Sequence, residues 1–128
     1  MNTSTPPTES TPRDIVRLDQ NARRSRAVIA GGMVYLAGQV ADDKTLDIGG
    51  QTRQVLQKID DLLAQAGTTR DRLVTAQIWL ASMSDFAGLN AVWDAWVVPG
   101  ETPTRRCGQV ELADPAFRVE IVVTALLP

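Results

Sequence analysis

The sequence predicts an α+β fold in which a mixed β-sheet carries two helices packed on one face. Three observations lead there. Two segments place apolar residues at helical spacing, and shorter ones alternate apolar with polar residues at the period of two that a strand imposes. Turns rich in glycine or proline separate them, giving the order strand, strand, strand, helix, strand, helix, strand, strand. In a chain of 128 residues this is a single two-layer domain, the helices covering one sheet face.

Residues 1–12 are Thr, Ser and Pro with hardly an apolar side chain, so burial cannot offset their ordering entropy. A disordered tail is expected there, with one domain over 13–128. Ile15–Leu18 reads as a short strand, and Ala27–Ala30 with Met33–Val40 as a hairpin about Gly31-Gly32. Val55, Leu56, Ile59, Leu62, Leu63 and Ala66 lie on one face of a helix that Gly67 terminates. Next, Val74, Ala76, Ile78 and Leu80 alternate with Thr75, Gln77, Trp79 and Ala81, which predicts a two-faced strand. Ser84 is the expected N-cap of a second helix, with Phe86, Leu89, Trp93, Trp96 and Val97 as its stripe and Pro99-Gly100 as its stop. Thr104–Leu112 and Phe117–Leu126 then form two strands around Ala113-Asp114-Pro115. Val110, Leu112, Val122 and Leu126 suggest that these strands are apolar on more than one side. Nothing in the chain remains to cover the second sheet face, so self-association is expected.

Composition narrows the function. A net charge of −2 offers no basic field for a polyanion, so nucleic acid is an improbable partner. Cys107 is the only cysteine and there is no histidine, which rules out an intrachain disulfide and a Ser-His-Asp triad and leaves a zinc site with little but carboxylates. No metal or cofactor is expected. No apolar run approaches the roughly 20 residues that span a bilayer, and the expected location is cytoplasmic.

Several residues can carry chemistry. Arg105 and Cys107 project to one face of their strand, Arg106 and Gly108 to the other. A guanidinium fork matches a carboxylate, although an arginine at a strand end is also at home in solvent or a structural ion pair. Glu120 sits in an otherwise apolar run and must be paired, solvated in a pocket or protonated; it is a candidate general base, or a structural partner of Arg118 or of a neighbouring subunit. Cys107 has no histidine to activate it and reads as a small packed hydrophobe whose backbone carbonyl is available. Asn90 either shapes a pocket or is a helix-surface amide. Gly38 suits close backbone approach of a ligand, or a bulge. Trp93 and Trp96 have core spacing.

Pro103-Thr104-Arg105-Arg106-Cys107-Gly108-Gln109-Val110, followed by Arg118-Val119-Glu120-Ile121, resembles the signature of the RidA/YjgF family of reactive-intermediate deaminases. Val34-Tyr35-Leu36-Ala37-Gly38-Gln39 and Asp85-Phe86-Ala87-Gly88-Leu89-Asn90 with Trp93 extend the resemblance over nearly the whole domain. It implies a chorismate-mutase-like fold, a homotrimer whose sheets form a central barrel, and clefts between subunits. It also implies hydrolysis of 2-imino or 2-enamino acids to 2-keto acids and ammonia without cofactor or metal. By this resemblance Arg105 binds the substrate carboxylate, while Glu120 and the Cys107 carbonyl position the water. Gly38 and Asn90 are assigned to the substrate pocket. The chain departs from the pattern at Arg106, usually a small residue, at Ala37, usually serine, and at Asn21-Ala22-Arg23-Arg24-Ser25, which lacks a tyrosine. Such departures mark divergent Rid subgroups. The alternatives are a non-catalytic keto-acid binding protein using the same cleft and an endoribonuclease, the latter disfavoured by the acidic balance.

Overall fold

A computed structural model describes residues 14–128, so the tail expected at residues 1–12 lies outside the described residues. The strands are β1 (Ile15–Gln20), β2 (Ser25–Ala30), β3 (Met33–Leu36), β4 (Leu73–Leu80), β5 (Thr104–Gln109) and β6 (Val119–Leu126), and the helices α1 (Ile48–Ala66) and α2 (Phe86–Trp96). They form one six-stranded sheet in the order β1-β2-β3-β6-β4-β5. Only the β4–β5 pair is parallel, so the sheet is mixed as expected.

Local chemistry explains the best-defined elements. Gly31 and Gly32 both take positive φ, 58° and 79°, which is what a two-residue hairpin loop between right-twisted strands requires. Helix α1 begins before its apolar stripe because Asp47 caps it, accepting the Gly50 N–H at 2.8 Å. It stops at Gly67, whose left-handed φ of 92° lets its N–H reach the Ala64 carbonyl at 3.1 Å. The stripe Val55, Ile59 and Leu63 joins Ile29, Val34, Ile78, Ile121 and Val123 in one fully buried core between helices and sheet. Each such side chain contributes about 1.5–3 kcal/mol on burial.

Four expectations need correction. Val74 does not point inward: pairing runs from Leu73↔Ala125 to Thr75↔Thr124, so Val74 is the extra residue of a bulge and is 40% exposed, while Leu73 takes the core position. The second helix starts at Phe86 with Asp85, not Ser84, at its N-cap and no side-chain capping bond; Ser82 instead caps the single 3-10 turn Met83–Asp85 that precedes it, accepting the Ser84 N–H at 3.2 Å. The last two strands are not neighbours, because β4 lies between them and β5 pairs in parallel with it after the α2 crossover. Strand β5 also ends at Gln109, leaving Val110 and Leu112 beyond the sheet.

One buried side chain unremarked in the sequence holds the β5–β6 connection. The Gln51 amide of α1 donates to the carbonyls of Leu46 and Ala116, both at 3.0 Å, and accepts the Arg118 N–H at 2.9 Å. The start of β6, and with it Glu120, is thereby tied to α1.

The sheet face away from the helices is open. Paired residues share a face, so Ile15, Ala30, Met33 and Leu126 make one row across it, and Arg17, Val28, Tyr35, Thr124 and Thr75 the next. Ile15, Tyr35 and Leu126 are exposed large hydrophobic residues.

Candidate functional site

Strand β5 is an edge strand, and Arg105 leaves it on the helix-covered side, directly across from Ala76 of the core face. The apolar stripe of α2 supplies its surroundings. Its guanidinium carbon sits 5.7 Å from the Phe86 ring centre and 5.6 Å from that of Trp93. Both contacts are within cation–π range. Among the described residues Arg105 has no carboxylate within ion-pair reach. A half-buried cation held on aromatic faces, with its charge unpaired, is suited to receive an anion.

Asn90 stands on α2 between those two rings, four residues after Phe86 and three before Trp93, spacings that share a helix face. Its Oδ1 is buried and accepts no hydrogen bond. Buried acceptors without partners are uncommon and costly, so this amide is not a bland surface residue.

Cys107 follows on the same side as Arg105, and its side chain packs against the core. Burial pushes its thiol above the ordinary cysteine value, and the nearby Arg105 charge opposes that only partly. A thiol kept protonated is a poor nucleophile.

Glu120 belongs to the open face. It pairs with Trp79 of β4, which in turn pairs with Gly108 of β5, and the Trp79 ring fills the space a Gly108 side chain would need. Gly38 lies against it: a Cβ at position 38 would come 2.8 Å from Glu120 Oε2. The close approach expected at Gly38 is therefore made by the Glu120 carboxylate. Among the described residues that carboxylate has no ion pair, and the partner considered for it, Arg118, reaches instead toward Asp85 at 3.8 Å. Arg106 is exposed on this same face.

The structure thus gathers the expected residues into two groups, candidate halves of a site. Arg105, Cys107, Phe86, Trp93 and Asn90 lie on the helix side of the β5 edge, while Glu120 and Gly38 lie on the open side of the sheet. One chain does not bring the two together. A hollow of about 670 Å3 beyond the end of β5, lined by residues 109–115 with Ala81 and Phe117, contains none of the expected residues. Sequence reading missed Phe86 as a neighbour of Arg105 and Trp79 as a neighbour of Glu120. Their signal was the strand and helix register, which only the pairing across the sheet reveals.

A family model described as Endoribonuclease L-PSP matches residues 15–127. A RutC family protein of Haemophilus ducreyi is 42% identical over 113 residues, covering 88% of this chain and 97% of that protein. The RutC family protein YoaB of Escherichia coli is 40% identical over 111 residues, covering 87% and 96%. Among solved structures, a YjgF-family protein from Neisseria meningitidis superposes with a TM-score of 0.89 at 40% identity, over 92% of this chain and 98% of that one. The chain belongs to the RidA/YjgF family. Its sheet with two helices on one face is the RidA/YjgF fold, and the expected α+β class holds. Among the described residues no helix is long and apolar enough to cross a membrane.

Proposed function

We propose that this RidA/YjgF chain hydrolyses 2-imino and 2-enamino acids to 2-keto acids and ammonia, in a cleft built by two copies of the chain within a homotrimer. The observation that carries this reading is the unpaired Arg105 guanidinium held between Phe86 and Trp93 on an edge strand. It offers a planar fork to a small carboxylate, a contact contributing about 1.5–3 kcal/mol. Glu120, unpaired on the open face beside Gly38, takes a proton from water as the oxygen adds to the imine carbon. Glu120 returns that proton to the substrate nitrogen and then carries the proton of the added hydroxyl to it, so that the C–N bond breaks and ammonia leaves; a 2-enamino acid enters after tautomerising to the imine, its N–H proton lost as C3 gains one. The carbonyl forms as the added hydroxyl gives up its proton. The Cys107 carbonyl orients the water.

Because the two half-sites face opposite sides of one sheet, a small substrate can meet both only where the edge of one subunit meets the open face of the next. The exposed Ile15, Tyr35 and Leu126 on that face supply apolar surface for such an assembly. A second reading is a keto-acid binding protein using the same cleft, favoured by Ala37 and by the absence of tyrosine from residues 21–25, which remove two hydroxyl groups that the resemblance leads one to expect. Ammonia release from an imine generated in situ separates the two. Release that Arg105→Ala abolishes supports hydrolysis. Calorimetric binding of pyruvate without accelerated release supports the binding protein.

A further inference from the structure

Arg105 rests on Trp93, and Trp93 in turn leans on a second tryptophan. Its ring centre lies 5.4 Å from that of Trp96, with the planes tilted by 48°, a favourable aromatic pair. Trp96 is the last residue of α2, and polar groups from outside that helix fix it at two points. Its indole Nε1–H donates to Asp60 Oδ2 of α1 at 3.0 Å, and its backbone carbonyl accepts Arg70 Nη1 at 3.0 Å. Arg70, from the 3-10 turn Arg70–Arg72 ahead of β4, also pairs with Asp60, Nε to Oδ1 at 3.5 Å, and lies over the Trp96 ring at 5.3 Å. One oxygen of the half-buried Asp60 thus serves the indole and the other the guanidinium.

These contacts do more than packing requires. Apolar burial has no preferred direction, so on its own it lets a ring slide or turn, whereas a hydrogen bond sets both distance and angle. At the start of α2, Gly88 lies so close to Ile48 that a Cβ there would come 2.6 Å from Ile48 Cγ2. Helix α2 is therefore seated on α1 twice, by shape at Gly88 and by the directional Trp96–Asp60 bond at its last residue. Phe86 and Trp93, the two rings beneath the Arg105 guanidinium, ride on this helix. Among the described residues Asp60 pairs with Arg70 and not with Arg105, so its influence on Arg105 passes through Trp96 and Trp93.

We propose that Asp60 is a positioning residue for Arg105, fixing the Trp96–Trp93 platform on which the guanidinium rests; this role rests on Arg105 being the ligand of the substrate carboxylate. In proton–nitrogen correlation spectra of the full chain, the Arg105 Nε–H signal, identified by its loss in Arg105→Ala, should lie upfield of exposed arginines because two ring faces shield it. Asp60→Ala should move that signal toward the exposed value. It should also weaken calorimetric pyruvate binding at least about fivefold, since a binding group displaced by a fraction of an ångström loses much of its hold. Asp60→Asn, whose amide oxygen still accepts the indole N–H, should restore both readouts to within about twofold of the parent. Trp96→Phe keeps a ring and removes the N–H, so it should reproduce the Asp60→Ala defect, and it serves in place of Asp60→Ala if that variant does not fold. Combining the two should do little more than either alone, because they break one interaction. In a chain that binds pyruvate, the proposal is overturned if the Arg105 signal or the affinity keeps its parent value in Asp60→Ala. It is overturned equally if Asp60→Asn is as damaging as Asp60→Ala, or if the two substitutions act as independent losses. A parent chain that shows the shielded signal and binds no pyruvate overturns the reading of Arg105 as a carboxylate ligand, while movement of that signal in Asp60→Ala still supports the positioning of the cation.

Discussion

Arg105→Ala and Glu120→Gln, each crippled alone, should restore one another when their subunits are mixed. The two side chains leave opposite faces of one sheet, with Arg105 across from the core residue Ala76 and Glu120 beside Trp79 on the open side. A cleft that uses both therefore takes the arginine from one subunit and the glutamate from the next. In a closed ring of three, any trimer containing both variants has one interface where an intact Arg105 faces an intact Glu120, so about one site in three is competent. Trimers purified to contain both variants should then show about a third of the parent activity, and the unfractionated equal mixture about a quarter, since each site needs one particular variant on each side. The assay is ammonia release by trimers carrying two affinity tags, one per variant, purified over both columns. Light scattering on the same material checks the mass. Activity no higher than the sum of the separate variants would mean that both residues act from one chain. A monomer or dimer mass would remove the interfacial cleft altogether.

The other predictions concern single side chains. Glu120→Gln should lower turnover by about two orders of magnitude or more, a typical general-base contribution, while Cys107→Ala keeps most activity because its backbone carbonyl remains. Burial holds the Cys107 thiol above its ordinary value, so at pH 8 iodoacetamide should alkylate it more slowly than free cysteine; faster labelling would point to a nucleophilic thiolate. Gly38→Ala would place a methyl 2.8 Å from Glu120 Oε2 and 3.0 Å from Cδ, and the displaced carboxylate should cost roughly tenfold to a hundredfold in kcat with the fold intact. Arg105→Ala should abolish measurable pyruvate binding in a calorimeter, whereas Arg106→Ala, an exposed charge on the other face, should change affinity by less than about threefold. The opposite result would exchange the roles of the two arginines.

What could be read from the sequence was what a few neighbouring residues decide among themselves. The Gly31-Gly32 hairpin and the end of α1 at Gly67 follow from backbone freedom at single positions, and the α1 stripe from its period. Alternation along β5 was equally legible, which is why Arg105 and Cys107 were grouped apart from Arg106 and Gly108. The relation between strands was not. Whether Arg105 and Glu120 share a face depends on β5 running parallel to β4, on β4 lying between β5 and β6, and on the register of both pairs. The bulge at Val74 belongs to the same class, because it shifts the pairing with β6 by one residue without any local signal in the apolar pattern.

The same non-local geometry explains why Arg105 can remain unpaired without destabilising the fold. A half-buried guanidinium normally finds a carboxylate, and its desolvation is costly when it does not. Here Phe86 and Trp93 offset part of that cost through their ring faces, and Arg105 is itself only half-buried at the β5 edge. An acidic partner would have satisfied the charge more fully and at the same time closed the guanidinium fork to any other anion. Aromatic support stabilises the cation and leaves its hydrogen-bonding fork free. Glu120 is treated in the complementary way: Trp79 and Gly38 pack beside it, and although Arg106 is exposed on the same face, the two form no ion pair. Within each chain the fold thus keeps the Arg105 cation and the Glu120 carboxylate on opposite sides of the sheet, where they cannot neutralise one another.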